Sequence, residues 1–265
     1  MVNRDEEPGT GSAGEGETDD RYRAPALDKG LDILELLTAT DEGVSQAEIA
    51  KALGRSPSEI YRMLDRLVRR GYVLRSAGDR YELSLKLFAL VHQHPPLRRL
   101  VSQALPLMRR FAREALQACH IAVYERGRAV VVAQVDAPGY WGIAIRLGAQ
   151  VDLLNTGSGH VLLAFQTPRE RDHMLAERRA IGSSTVPAGF EQRLAGVRRR
   201  GYEVMRSQQT KGVINLSVPV LGVGGSAIAA LTCPFIEHMD ISDGPGQDAV
   251  ARLLLRTTEA LTHSA

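Results

Sequence analysis

Between Ser45 and Leu83 the chain reads SQAEIAKALGRSPSEIYRMLDRLVRRGYVLRSAGDRYEL, and two capping boxes in so short a run leave it few ways to fold. Ser45 with Glu48 three residues on opens a helix, in which Ile49, Ala50 and Leu53 give a short apolar face that stops at Gly54. Ser56 starts a second helix, with Pro57 at its first position and Glu59 closing the second box. Ile60, Met63, Leu64 and Leu67 fall at i, i+3, i+4 and i+7, which leaves Ser58, Glu59, Tyr61, Arg62 and Arg66 to face outward. Small Ala50 and Ile60 sit where two steeply crossed helices approach closely. After Gly71, Tyr72 to Arg75 and Arg80 to Leu83 flank the polar turn Ser76-Ala77-Gly78-Asp79, a strand, turn and strand. Helix, turn, helix and hairpin in that order predict a winged helix-turn-helix, a DNA-binding head.

The charge pattern agrees. From Ser45 to Arg80, Lys51, Arg55, Arg62, Arg66, Arg69, Arg70, Arg75 and Arg80 stand against Glu48, Glu59, Asp65 and Asp79, while the whole chain carries a net charge of only +2. A phosphate backbone responds to the face that bears the cations, so the local excess matters more than the total. A solvated helical bundle would also expose arginines, but it would not need the two boxes and the hairpin. The expected DNA-contacting set is Ser45, Gln46, Arg55, Ser56, Ser58, Glu59, Tyr61, Arg62, Arg66, Arg75 and Arg80, with the last two on the wing.

The chain is far longer than such a head. At 265 residues and 44% hydrophobic content it has room for a second domain with its own core. The first stretch, 1–23, is polar, Gly-rich and acidic and reads as a disordered tail, and no apolar run approaches the length of a signal peptide or membrane span, so a cytoplasmic protein with no membrane contact is expected. Only Cys119 and Cys233 are present, without metal-ligand spacing, and both read as small core residues in a chain with no metal and no cofactor.

Four segments follow: the tail 1–23, the winged head 24–84, a linker helix 85–97, and an α+β domain 98–265 with an antiparallel sheet flanked by helices. The head's first helix is expected over Leu27 to Thr38, with Leu27, Leu31 and Leu34 turned inward. A helix from Ser84 to His92 is cut by Pro95-Pro96, and a longer one from Leu97 to Gln117 should be kinked or divided at Pro106. Strands are expected at His120–Tyr124, Ala129–Val135, Ile143–Leu147, Val213–Leu221 and Ser226–Cys233. Helices are expected at Gly159–Ala164, Pro168–Glu177, Phe190–Arg200 and Gly246–His263. The stripe of Leu100, Val101, Ala104, Leu105, Met108 and Phe111 suits either a dimer contact or packing on the chain's own second domain.

From Leu27 to about Leu261 the chain resembles the IclR-type family of bacterial transcriptional regulators. The resemblance rests on the order and spacing of LDKGLDIL (27–34), Leu53-Gly54, Ser58 and Arg62, RGYV (70–73), RYEL (80–83), Leu147-Gly148, TGSG (156–159) and RRGY (199–202). It implies a winged helix-turn-helix head, a linker helix and a GAF-like effector-binding domain. It also implies a homodimer or dimer of dimers on a palindromic double-stranded DNA operator, acting as a repressor or activator under a small metabolite, such as a small organic or aromatic acid. The pocket carried over from the family corresponds here to Ile143, Val151, Gly157, Ser158, Met205, Val213, Asn215 and Thr232. Met205 and Asn215 stand where some members have a carboxylate and a cysteine, and His160 stands where a lysine or arginine is usual.

Read without the family, Gly157-Ser158-Gly159 is either an anion site at a helix start or an N-capped turn that uses glycine for close packing. Catalysis is not expected. Cys119 and His120 are adjacent on a strand and point to opposite faces, Gly157-Ser158-Gly159 lacks the spacing of a nucleophile elbow, and Gly222-Val223-Gly224-Gly225 joins two strands. An effector-gated regulator thus stands beside two alternatives, an architectural DNA binder whose second domain only oligomerises, and a small-molecule enzyme joined to a DNA-binding head.

Overall fold

A computed structural model describes residues 24–182, 185–239 and 244–262. The expected tail, 1–23, and His263 lie outside the described residues. The chain divides into two compact units between Gln93 and His94.

The first unit runs α1 (Pro25–Thr38), β1 (Val44–Ser45), α2 (Gln46–Ala52), α3 (Pro57–Arg69), β2 (Val73–Ser76), β3 (Arg80–Leu83) and α4 (Lys86–Gln93). Both capping boxes form where the sequence places them. Gly54, at φ +60°, takes the left-handed turn between α2 and α3, a conformation that glycine adopts without strain. Ile33, Leu37, Ile49, Ala50, Ile60, Leu64, Val73 and Tyr81 make the core. The inward face of α1 is as expected at Leu34, which packs against this core, but differs at the other two positions. Leu27 and Leu31 are 61% and 46% exposed, and Ile33 and Leu37 are buried instead. Helix α1 carries two overlapping i, i+4 stripes, and contact with α3 selects the one nearer its C-terminal end. The hairpin gains a third strand, since β1 pairs with β3 and gives the order β1-β3-β2.

The second unit runs α5 (Pro95–Ala115), β4 (Cys119–Glu125), β5 (Arg128–Val135), β6 (Gln150–Asp152), α6 (Gly157–Ala164), α7 (Pro168–Ile181), α8 (Phe190–Arg200), β7 (Glu203–Arg206), β8 (Ile214–Leu221), β9 (Ala227–Phe235) and α9 (Gln247–Thr262). Its sheet is antiparallel throughout, in the order β6-β5-β4-β9-β8-β7. One face packs on α5 and α9 through Met108, Phe111, Val250 and Leu254, and the other carries α6. Every residue of α6 is buried, so this short helix is wrapped on all sides.

Helix α5 is not divided, since it runs through Pro106 as one element; Pro95 holds its first position, and the break falls at His94. One expected strand is absent. Ile143–Leu147 alternates like a strand but pairs with nothing; β5 takes Gln150–Asp152 as its edge partner. Without a partner ladder, period-two alternation does not make a strand.

Candidate functional site

In the first unit, α3 presents Tyr61, Arg62 and Arg66 to solvent, with Arg55 exposed in the turn before it. Among the described residues Arg55, Arg62 and Arg66 have no ion-pair partner, unlike Arg69, which is held by Asp65 at 3.0 Å. Three free cations on and beside one helix face are the arrangement that a polyanion selects.

The other predicted contacts are held more tightly. One oxygen of Glu59 accepts from Lys29 at 2.5 Å and the other from the backbone N–H and hydroxyl of Ser56. The Lys29 ammonium and the Ser56 donors hold its carboxyl well below the usual range, at about 2. Glu59 is thus engaged by its cap and its ion pair. Ser45 is tied to Glu48 by the first box, and Gln46 donates to the Pro57 carbonyl at 2.8 Å, linking α2 to α3. Ser58 is exposed, and its hydroxyl lies 3.3 Å from that of Ser56. On the wing, Arg75 pairs with Asp79 at 2.7 Å, while Arg80 donates to the Gly43 carbonyl and lies 3.6 Å from Glu48.

In the second unit a cavity of about 400 Å³ opens at the start of α6. Its wall includes Ile143, Val151, Gly157, Ser158, Val213, Asn215 and Thr232. Met205, the remaining predicted member, is buried but does not line the cavity, although it pairs with Asn215 across β7 and β8. Ile143 and Ile145 reach the wall from the segment that failed to become a strand.

Helix α6 is placed by close contacts. Thr156 caps it by accepting from the Gly159 N–H at 3.1 Å. A Cβ on Gly159 would meet the Leu153 backbone at 2.3 Å, and one on Gly157 would meet the Ser217 hydroxyl at 2.4 Å. Gly159 serves packing and capping, while Gly157 and Ser158 line the cavity with first-turn N–H groups that have no partner within the helix. His160 does not reach the cavity. Its Nε2 bonds the Leu154 carbonyl and its Nδ1 bonds Glu203, each at 2.8 Å. Burial pushes Glu203 upward, but the hydrogen bonds from His160 and Arg193 outweigh it and hold the carboxyl below its ordinary value.

Sheet register explains what the sequence could not show. Gln134, His120, Thr232, Ser217 and Glu203 lie directly opposite one another across β5, β4, β9, β8 and β7, a polar row beneath α6. Within it, Ser217 and Ser158 both bond Thr232, at 2.7 and 2.9 Å. His120 and Asn155 line the cavity and were not anticipated, and Arg128 lines it with no ion-pair partner among the described residues. Cys119 points into the opposite core, as strand alternation requires, and burial pushes its thiol up to about 12.

Burial also holds His120 neutral, with its pKa lowered to about 4. Above the unfolded value of about 6.5 both states are neutral; below it the unfolded chain takes a proton that the folded one refuses, so stability falls as pH drops toward 4. The loss attributable to His120 is about 3 kcal/mol across that window. Urea unfolding at neutral pH and near pH 4.5 should show a markedly smaller decline for His120→Leu than for the parent; equal declines would contradict it.

Among the described residues no helix is long and apolar enough to cross a membrane, and no cluster of three or more His, Cys, Asp or Glu could hold a metal ion. Comparison with known proteins agrees with this division of labour. Residues 26–77 match the IclR helix-turn-helix domain, and residues 96–261 match the bacterial transcriptional regulator IclR C-terminal domain. The transcriptional regulator BhcR of Paracoccus denitrificans is 28% identical over 233 residues, covering 85% of this chain and 83% of the relative. The crystal structure of Pseudomonas aeruginosa HmgR is 27% identical, with a TM-score of 0.70 over 91% of this chain and 98% of that one. An IclR homolog of Microbacterium hydrocarbonoxydans, solved in complex with 4-hydroxybenzoate, is 20% identical, with a TM-score of 0.74 over 90% of this chain and 98% of that one.

Proposed function

The chain belongs to the IclR family of bacterial transcriptional regulators, and we propose that its head binds a palindromic operator with α3 in the major groove while a small carboxylic acid in the α6 cavity alters that binding. The cavity carries this reading: its floor combines two first-turn N–H groups, the Ser158 and Thr232 hydroxyls and Asn215 with an apolar wall from Ile143, Val151 and Val213. First-turn N–H groups and the positive end of a helix attract a carboxylate, and the nearby Arg128 adds charge of the same sign. The 4-hydroxybenzoate bound by the Microbacterium relative is an acid of that kind. Under this proposal the protein works in the cytoplasm as a homodimer or dimer of dimers, with the segment 85–97 as linker between the head 24–84 and the effector domain 98–265. No catalytic step is assigned to it; the adjacent thiol and imidazole of Cys119 and His120 face opposite sides of the sheet.

The test is a gel-shift titration of a duplex selected by the protein from a random library, with and without the small acids that raise its melting temperature. The expected result is a shift in DNA affinity with acid; stabilising acids that leave DNA affinity unchanged would refute the coupling. Within the cavity, Asn215→Ala should weaken calorimetric affinity for such an acid by roughly 1–2 kcal/mol. Equal affinities would remove Asn215 from the head-group site.

A further inference from the structure

The cavity has a polar end that a bare carboxylate does not use. His120 is 1% exposed, and its Nδ1 has no hydrogen-bond partner among the described residues. Asn155 Oδ1 is in the same condition, and among the described residues only one other buried side-chain atom is, Arg171 Nε, whose guanidinium still pairs with Glu191. Two of these three unpartnered atoms therefore belong to residues of one cavity wall. The rest of the polar row is satisfied, Ser158, Thr232 and Ser217 by one another and Glu203 by His160 and Arg193. Register sets His120 directly beside Thr232 on the α6 face, so its ring shares the cavity with the head-group site.

Buried polar atoms without partners are rare in folded proteins, and where they gather in a cavity they await a ligand's polar atoms. Asn155 Oδ1 can only accept, and a neutral imidazole nitrogen accepts in one of its tautomers. Resting on the reading of this cavity as an acid site, we propose that His120 and Asn155 form a second polar pole beside the head-group site, which selects an acid that also bears a hydroxyl, a hydroxy acid in preference to the parent acid.

Selectivity follows from the cost of leaving these atoms unpartnered. A parent acid leaves His120 and Asn155 without partners, whereas a hydroxyl at the right carbon donates a hydrogen bond to one and can accept through its oxygen from the other. Sites built to bond a hydroxyl discriminate strongly against analogues that lack it.

Phenylacetate, pentanoate and their derivatives with a hydroxyl at each successive carbon supply the probes. Binding is read by calorimetry and by the fluorescence of Trp141, the chain's single tryptophan, two residues before Ile143 of the cavity wall. In the intact protein at neutral pH, at least one hydroxylated isomer should bind about tenfold or more tightly than its parent. In His120→Leu that ratio should fall to within about twofold, with the parent acid still bound. Asn155→Ala should lower it in the same direction, and it carries the test alone should His120→Leu not fold. Hydroxylated and parent acids that bind the intact protein equally would overturn the second pole while leaving the acid site standing, and so would a preference that survives both substitutions. If no acid of either series binds, the reading of the cavity as an acid site fails and this inference fails with it.

Discussion

Replacing Gly159 with alanine is expected to cost the C-terminal unit about 3 kcal/mol or more, among the largest effects of any single methyl group in the chain. The added Cβ would lie 2.3 Å from the Leu153 carbonyl oxygen and 2.4 Å from its Cα. These are backbone atoms of the turn that leads into the α6 cap, so no rotamer change relieves them. Helix α6 would have to withdraw from the sheet, breaking the His160 bond to the Leu154 carbonyl and the Ser158 bond to Thr232. Gly157→Ala is the informative contrast, because its Cβ would meet the Ser217 hydroxyl, a side-chain atom rather than backbone. Gly30→Ala, with nothing within 4 Å inside α1, should be neutral or slightly stabilising. Urea unfolding followed by Trp141 fluorescence ranks the three, and a Gly159→Ala loss below about 1 kcal/mol would show that α6 is not seated as described.

What the sequence conveys about this chain is mostly local. Caps, turns and helix stripes are set by residues a few positions apart, and both capping boxes, the α3 face and the hairpin appear where spacing puts them. The misses concern partners far away in sequence. Leu27 and Leu31 belong to a stripe as good as that of Ile33 and Leu37, and only α3 decides between them. Ile143–Leu147 has strand periodicity but lies outside the ladder that β5 makes with Gln150–Asp152.

The α6 cavity was legible through family resemblance, which supplied seven of its lining residues; Met205 is buried but does not line it, and His160 turns instead to Glu203. His120 escaped notice for the same reason as the strand error. Its significance comes from lying opposite Thr232, more than a hundred residues later, and nothing near Cys119-His120-Ile121 announces that pairing. Nor could the sequence show the partner of Glu59, since its position on α3 suggests DNA while Lys29, thirty residues earlier on α1, bonds its second oxygen.

The second large effect is expected in the head, where Arg62→Ala combined with Arg66→Ala should lower operator affinity by roughly 2–6 kcal/mol if both arginines reach bases. The two residues stand one turn apart on α3, exposed and without ion-pair partners among the described residues, so their removal breaks no ion pair and the head should remain folded. That separates them from Arg80, whose guanidinium holds the Gly43 carbonyl and approaches Glu48, and from Arg75, which Asp79 already partly neutralises. Salt dependence tells the two kinds of contact apart. A lost phosphate contact lowers the slope of log affinity against log salt by about 0.9 and weakens operator and random DNA alike, whereas a lost base contact weakens the operator and spares random DNA. The wing arginines should behave in the first way, with Arg75→Ala and Arg80→Ala weakening both duplexes together, and Arg62 in the second. Filter-binding titrations of the double variant on both duplexes at several salt concentrations decide the matter. Undiminished operator affinity in a folded double variant would remove this face of α3 from the DNA interface, whatever the head's resemblance to other regulators.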